Sequence, residues 1–130
     1  MIERAYRVIK IGIKDELLID FKDERFELLS TFIESDVKAF ENWIKMAFDK
    51  VLSGESDYEE VNGNVCCAEI SFKTTKIYDN LAEDAMENCC EVDTKELRGI
   101  IEEWCDEVRK FNLEHALYKE GCFDELGCSK

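Results

Sequence analysis

The side chains from which this sequence could build nucleophilic or metal chemistry are few. They are one histidine, His115, and seven cysteines: Cys66, Cys67, Cys89, Cys90, Cys105, Cys122 and Cys128. A Ser-His-Asp or Cys-His pair would have to use His115, which lies past the apolar face of the last amphipathic segment. No Gly-x-Ser-x-Gly turn, phosphate-cradling glycine loop or HExxH pair accompanies it. His115 therefore reads as a surface residue without a catalytic role. Structural zinc takes ligands spaced so that both thiolates of a pair reach one ion. Here the pairs are adjacent, Cys66-Cys67 and Cys89-Cys90, and neighbours on a strand point to opposite faces. The odd count, and the lack of a C-x-x-C before a helix, disfavour a disulfide framework and a redox centre. We expect mostly buried, inert thiols, with no metal and no cofactor. Carboxylate pairs are everywhere, but glycoside hydrolysis needs two in a cleft with divergent pKa values, and nothing singles one pair out. The expectation is a protein that binds rather than catalyses.

Charge supplies the positive lead. Seventeen basic residues stand against 31 acidic ones, a net charge of −14. Residues 1–14 hold Arg4, Arg7, Lys10 and Lys14 against Glu3 alone, so the remainder of the chain carries −17. Such a field repels nucleic acid, whose binding requires lysines and arginines on phosphates. It attracts a basic protein and speeds the encounter. The acids are clustered: Glu55, Asp57, Glu59 and Glu60 in one run, and eleven between residues 79 and 107 against Lys95 and Arg98. From the second run we select Glu83, Asp84, Glu87 and Glu91, with Glu102, Asp106 and Glu107, as the candidate partner-binding residues. The blander account of the same residues is a set of solvated faces that serve solubility.

The elements that must position these groups can be read in part. A length of 130 residues fits one domain, here taken as 1–130 with 114–130 as a loosely ordered tail. No apolar run approaches the roughly 20 residues that cross a bilayer, and the first residues lack the apolar core of a secretory signal, so a cytoplasmic location is expected. Ile9, Ile11 and Ile13 alternate with Lys10, Gly12 and Lys14, and Leu17, Ile19 and Phe21 alternate again, a hairpin turning near Lys14-Asp15-Glu16. A short helix is expected over about 24–33. A stronger one follows from an N-cap at Ser35 or Asp36, with Val37, Phe40, Trp43, Ile44, Ala47, Phe48 and Val51 on its apolar face. Residues 53–64 read as a loop, then Val65 to Phe72 and Lys76 to Tyr78 as a second hairpin. The last helix starts at Asp93 or Thr94, with Asp93 and Glu96 resembling a capping box. Its apolar face is Leu97, Ile100, Ile101, Trp104, Cys105, Val108 and Phe111. Together these predict an α+β fold: an antiparallel sheet built from two hairpins, with amphipathic helices packed on one face.

Several of these segments carry a resemblance. Phe40-Glu-Asn-Trp43-Ile44, Val51-Leu-Ser-Gly54, Asn62-Gly63-Asn64, Ile77-Tyr-Asp79 and the stretch from Thr94 through Leu97 to Trp104 are similar to small immunity proteins of bacterial polymorphic toxins, contact-dependent growth inhibition systems included. The similarity spans about residues 17–111 and leaves out the cysteine-bearing tail. It implies a small cytosolic protein that binds the toxic domain of a sister cell's effector, commonly a basic nuclease, and covers its active site or substrate groove. The matched positions are scaffold, so no binding residue carries over, and the seven cysteines depart from the pattern. Two other readings stand beside this one: an acidic nucleic-acid mimic that inhibits a DNA-binding protein, and a cysteine-zinc protein. In each binding reading the partner is a protein, with no nucleic acid and no membrane, and the oligomeric state is left open.

Overall fold

The computed structural model describes residues 2–81 and 89–125, with side chains as far as Glu114. The chain opens on a hairpin, β1 (Arg4–Ile11) and β2 (Lys14–Phe21), paired without interruption from Arg4↔Phe21 to Ile11↔Lys14. The turn is Gly12-Ile13, two residues earlier than expected. Gly12 sits at a φ of 65°, the left-handed geometry that tight hairpins require and that glycine adopts without strain. Register also decides which face is buried. Tyr6 lies opposite Ile19, which is fully buried, and its ring stacks on Trp104 with centroids 6.3 Å apart. The inward face of β1 is thus the Tyr6 face, and Ile11 and Ile13 are exposed.

The crossover from β2 is helical but irregular. A 3-10 turn (Glu24–Phe26) runs into α1 (Glu27–Thr31) and then into a widened π turn (Phe32–Val37). Glu34 accepts the Ile19 N–H at 2.8 Å, which fastens this segment to β2. The regular helix α2 (Glu41–Leu52) begins later than the sequence suggests, and Asp36 does not cap it. Asp36 is fully buried and accepts the backbone N–H groups of Asn64, Val65 and Cys66 at 2.8, 3.2 and 2.8 Å. Three adjacent donors outcompete a helix terminus for a carboxylate that points inward. Gly63 lies so close that a Cβ there would stand 2.4 Å from the Asp36 carboxyl carbon.

A four-stranded antiparallel sheet follows, in sequential order: β3 (Tyr58–Asn62), β4 (Cys66–Ser71), β5 (Thr74–Asp79) and β6 (Cys90–Asp93). The expected hairpin is β4–β5. Of its two flanking strands, β3 comes from the segment read as a loop and β6 from within the acidic run between residues 79 and 107. One face of the sheet holds Val61, Ala68, Ile70, Ile77, Cys90 and Val92, all in the core. The helices pack there, α2 over β3 and β4, and α3 (Thr94–Glu125) over β5 and β6. Asp93 caps α3 by accepting the Glu96 N–H at 2.9 Å, the expected half of a capping box. Thr94 donates to the Ser71 carbonyl at 2.6 Å and meets the Thr75 hydroxyl at 2.8 Å, both threonines buried. Leu97, Ile100, Ile101, Trp104 and Cys105 are buried, as the periodicity requires. The fold is α+β, with its strands in two antiparallel sheets.

Trp43 departs from expectation. It is 47% exposed against 2% for Trp104, so the two do not share one interior. The register of α2 explains this, because Ile44, Ala47, Phe48 and Val51 take the inward arc and leave Trp43 on the flank. Urea unfolding separates the roles. Trp104→Ala should cost about 3–5 kcal/mol, and Trp43→Ala less than half as much. Asp36→Ala, which strands three backbone N–H donors, that of Cys66 buried, should cost about 1–3 kcal/mol.

Candidate partner-binding surface

The seven selected carboxylates do not converge. Glu83, Asp84 and Glu87 lie outside the described residues. Glu91 stands on β6 between Cys90 and Val92, which are buried on the helix-covered face, so it points to the opposite face. Glu102, Asp106 and Glu107 are on α3, on the helix side of the sheet, and each is matched by a base. Glu102 pairs with Arg98 at 2.9 Å, Lys45 at 3.6 Å and Arg109 at 3.9 Å. Asp106 pairs with Arg109 at 2.5 Å, and Glu107 with Lys110 at 3.6 Å. Arg98 also holds Asp49 at 2.9 Å, and Lys45 holds Glu41 at 2.9 Å, so these charges knit α2 to α3. The guanidinium of Arg4 likewise keeps the Glu103 carboxyl below its ordinary pKa, reinforced by the Tyr6 hydroxyl. Carboxylates compensated in this way project little net field.

Uncompensated charge sits elsewhere. Residues 51–72 contain Glu55, Asp57, Glu59, Glu60 and Glu69 and no lysine or arginine. Among the described residues none of these five has a cationic side chain within ion-pair reach. Glu60, Glu69, Lys76 and Glu91 form one row across all four strands, on the face away from the helices. Lys76 is its one base, 4.0 Å from Glu91. Glu69 accepts the Tyr78 hydroxyl at 3.0 Å, and burial followed by that bond pushes Tyr78 up to about 12. Desolvation, then Glu69 and Glu60, also raises Tyr58. Large apolar groups also stand in water: Tyr58 on β3, 48% exposed, Met46 on α2, which lines a surface groove with Glu55, and Trp43, edge-on to Phe40 at 5.7 Å. The reading of 53–64 as a loop missed this margin. The available signal was the alternation Tyr58, Glu60, Asn62 around a single inward Val61, too short to separate from loop sequence.

Comparison with known proteins decides the family. An immunity protein of Bacillus cereus is 41% identical to this chain over 88 residues, which make up 68% of the chain and 75% of that protein. The chain belongs to that immunity-protein family. No protein-family model matches it, and no solved structure does.

For a member of this family the cysteines still need an account. Cys66 and Cys67 oppose Asp79 and Tyr78 on β5, so they face opposite sides of the sheet. Among the described residues no three histidine, cysteine or carboxylate groups converge on a common point. Cys128 lies outside the described residues, and the side chains of His115 and Cys122 lie outside the described side chains. Burial pushes the Cys66 thiol up to about 12, and burial pushes Cys67, Cys90 and Cys105 up to about 11. Each folded pKa is thus above the ordinary thiol value of about 8.5. Between about pH 9 and 11 the unfolded chain releases these protons while the folded chain keeps them, so stability must fall as pH rises. Urea midpoints measured from pH 8 to 10.5 should decline across that window. A flat profile would show that the thiols ionise in the fold.

Proposed function

We propose that this chain is the immunity partner of a cognate toxin domain, which it binds in the cytoplasm and holds inactive by covering the active site or substrate groove. The observation that carries this reading is the 41% identity to an immunity protein, over three quarters of that protein's length. The chain then acts by stoichiometric binding and not by catalysis. A polymorphic-toxin or contact-dependent inhibition system is the setting in which such a pair would operate.

The acidic surface supports a basic toxin domain, with a nuclease as the leading class. A nuclease holds phosphates with lysine and arginine, and a protein with a net charge of −14 can compete for that surface. The unpaired acids of residues 51–72, with Glu91 and the neighbouring Glu83, Asp84 and Glu87, are the groups that would steer the encounter. The α3 acids Glu102, Asp106 and Glu107 contribute less, because Arg98, Arg109 and Lys110 already answer them.

Stopped-flow association with the toxin domain encoded beside this chain's gene tests the proposal. The association rate should fall steeply between low and physiological salt, with the dissociation rate changing less. Reversing Glu55, Asp57 and Glu60 to lysine should slow association by about tenfold, and reversing Glu102, Asp106 and Glu107 by clearly less. Rates insensitive to salt and to both reversals would make the charge a solubility device.

A further inference from the structure

Resting on that reading, we propose that the toxin domain docks along the open edge of β3, adding a basic strand to the four-stranded sheet, with Trp43 and Met46 as its apolar anchors. Among the described residues β3 pairs with β4 alone, so its other side presents backbone donors and acceptors beyond Tyr58, whose N–H and carbonyl the Ser56 hydroxyl already meets. Such an edge is the template for strand addition, in which main-chain hydrogen bonds give affinity and flanking side chains give specificity.

The described edges are not equivalent, and charge chooses among them. β1 offers a basic strand no acid: it carries Arg4 and Arg7, already paired with Glu103 and Asp20, and Lys10. β6 is four residues long and runs directly into α3. β3 carries Glu59 and Glu60, which point to opposite faces of the sheet, and it follows Glu55 and Asp57. A lysine- or arginine-bearing strand laid against it meets acid on both faces. The same arrangement disfavours a second copy of this chain, because Glu60 is the middle residue of β3 and antiparallel self-pairing sets acid against acid.

A five-residue edge spans about 17 Å, too little to bury the roughly 800 Å² per partner of a stable interface. The remaining area has to come from side chains, and α2 supplies them. It packs over β3 and β4, while its α3-facing side is occupied by the Glu41, Lys45 and Asp49 ion pairs. Trp43, 47% exposed, lies off that side and off the buried arc, while Met46, 56% exposed, lines a surface groove with Asp49, Glu55 and Arg98. Tryptophan and methionine in water are unfavourable for an isolated fold and are typical anchors of a protein interface.

Hydrogen exchange of this chain, alone and with the toxin domain encoded beside its gene, tests the proposal together with Glu60→Lys and Trp43→Ala. Both variants should keep the wild-type circular-dichroism spectrum. The expected result is slowed exchange of β3 amides in the complex and at least a tenfold loss of affinity in each variant. A tight complex with β3 exchange unchanged and both variants at wild-type affinity overturns the docking mode and leaves the immunity reading standing. Absence of any complex overturns the immunity reading itself. Slowed β3 exchange in a dimer of the free chain makes a second copy the occupant and also overturns the proposal.

Discussion

Asp36 is the constraint on which the rest of the molecule depends. Its carboxylate has no exposure to water, so its charge must be answered inside the protein, and three consecutive backbone N–H groups answer it. Hydrogen bonds to a charged acceptor contribute about 1.5–3 kcal/mol each. Their larger effect is positional. They fix the π turn at Phe32–Val37 to the β3–β4 connection, and that connection needs glycine at position 63 because the carboxylate fills the space a Cβ would take. With this joint closed, α2 has one place to lie, across β3 and β4. Its buried arc and its exposed Trp43 flank follow.

A second joint is built on α3. Ile2 donates to Glu96 at 2.6 Å, Arg4 and Tyr6 bond to Glu103, and Tyr6 stacks on Trp104. The basic first strand is thereby held to an acidic helix by internal charge matching. The same matching runs between α2 and α3 through Arg98 and Lys45. Most of the chain's bases are therefore used within the fold, and one group of acids left over, Glu55, Asp57, Glu59, Glu60 and Glu69, lies in residues 51–72, where no base is available. Net charge is a property of the whole sequence, but its distribution as usable field is set by which acids the fold neutralises.

Legibility followed the length of each pattern. The α3 stripe from Leu97 to Trp104 repeats over about two turns and its cap is local, so the sequence reads it correctly. The β4–β5 hairpin is rich in apolar and β-branched residues and is equally clear. β3 and β6 each offer only one or two inward apolar residues, Val61 in one and Cys90 and Val92 in the other, and a period needs more repeats than that to be seen. Asp36 was misread because Asp before a helical stripe is an N-cap signal, and only tertiary structure shows three better donors nearby. Trp43 satisfied the helical spacing, but that spacing admits a wider arc than the sheet can cover. For the site, acid composition pointed to a basic partner, while pairing with bases many positions away decided which acids remain open. Glu102 carries that lesson, since one of its answering bases, Lys45, lies on another helix.

The central claim is that this chain silences a toxin by occupying it. The most direct measurement titrates the activity of a candidate toxin domain, taken from the genes flanking this chain's own, with increasing amounts of the purified chain. The account predicts a linear fall to zero activity at one chain per toxin domain. Full activity in the presence of excess chain would contradict it.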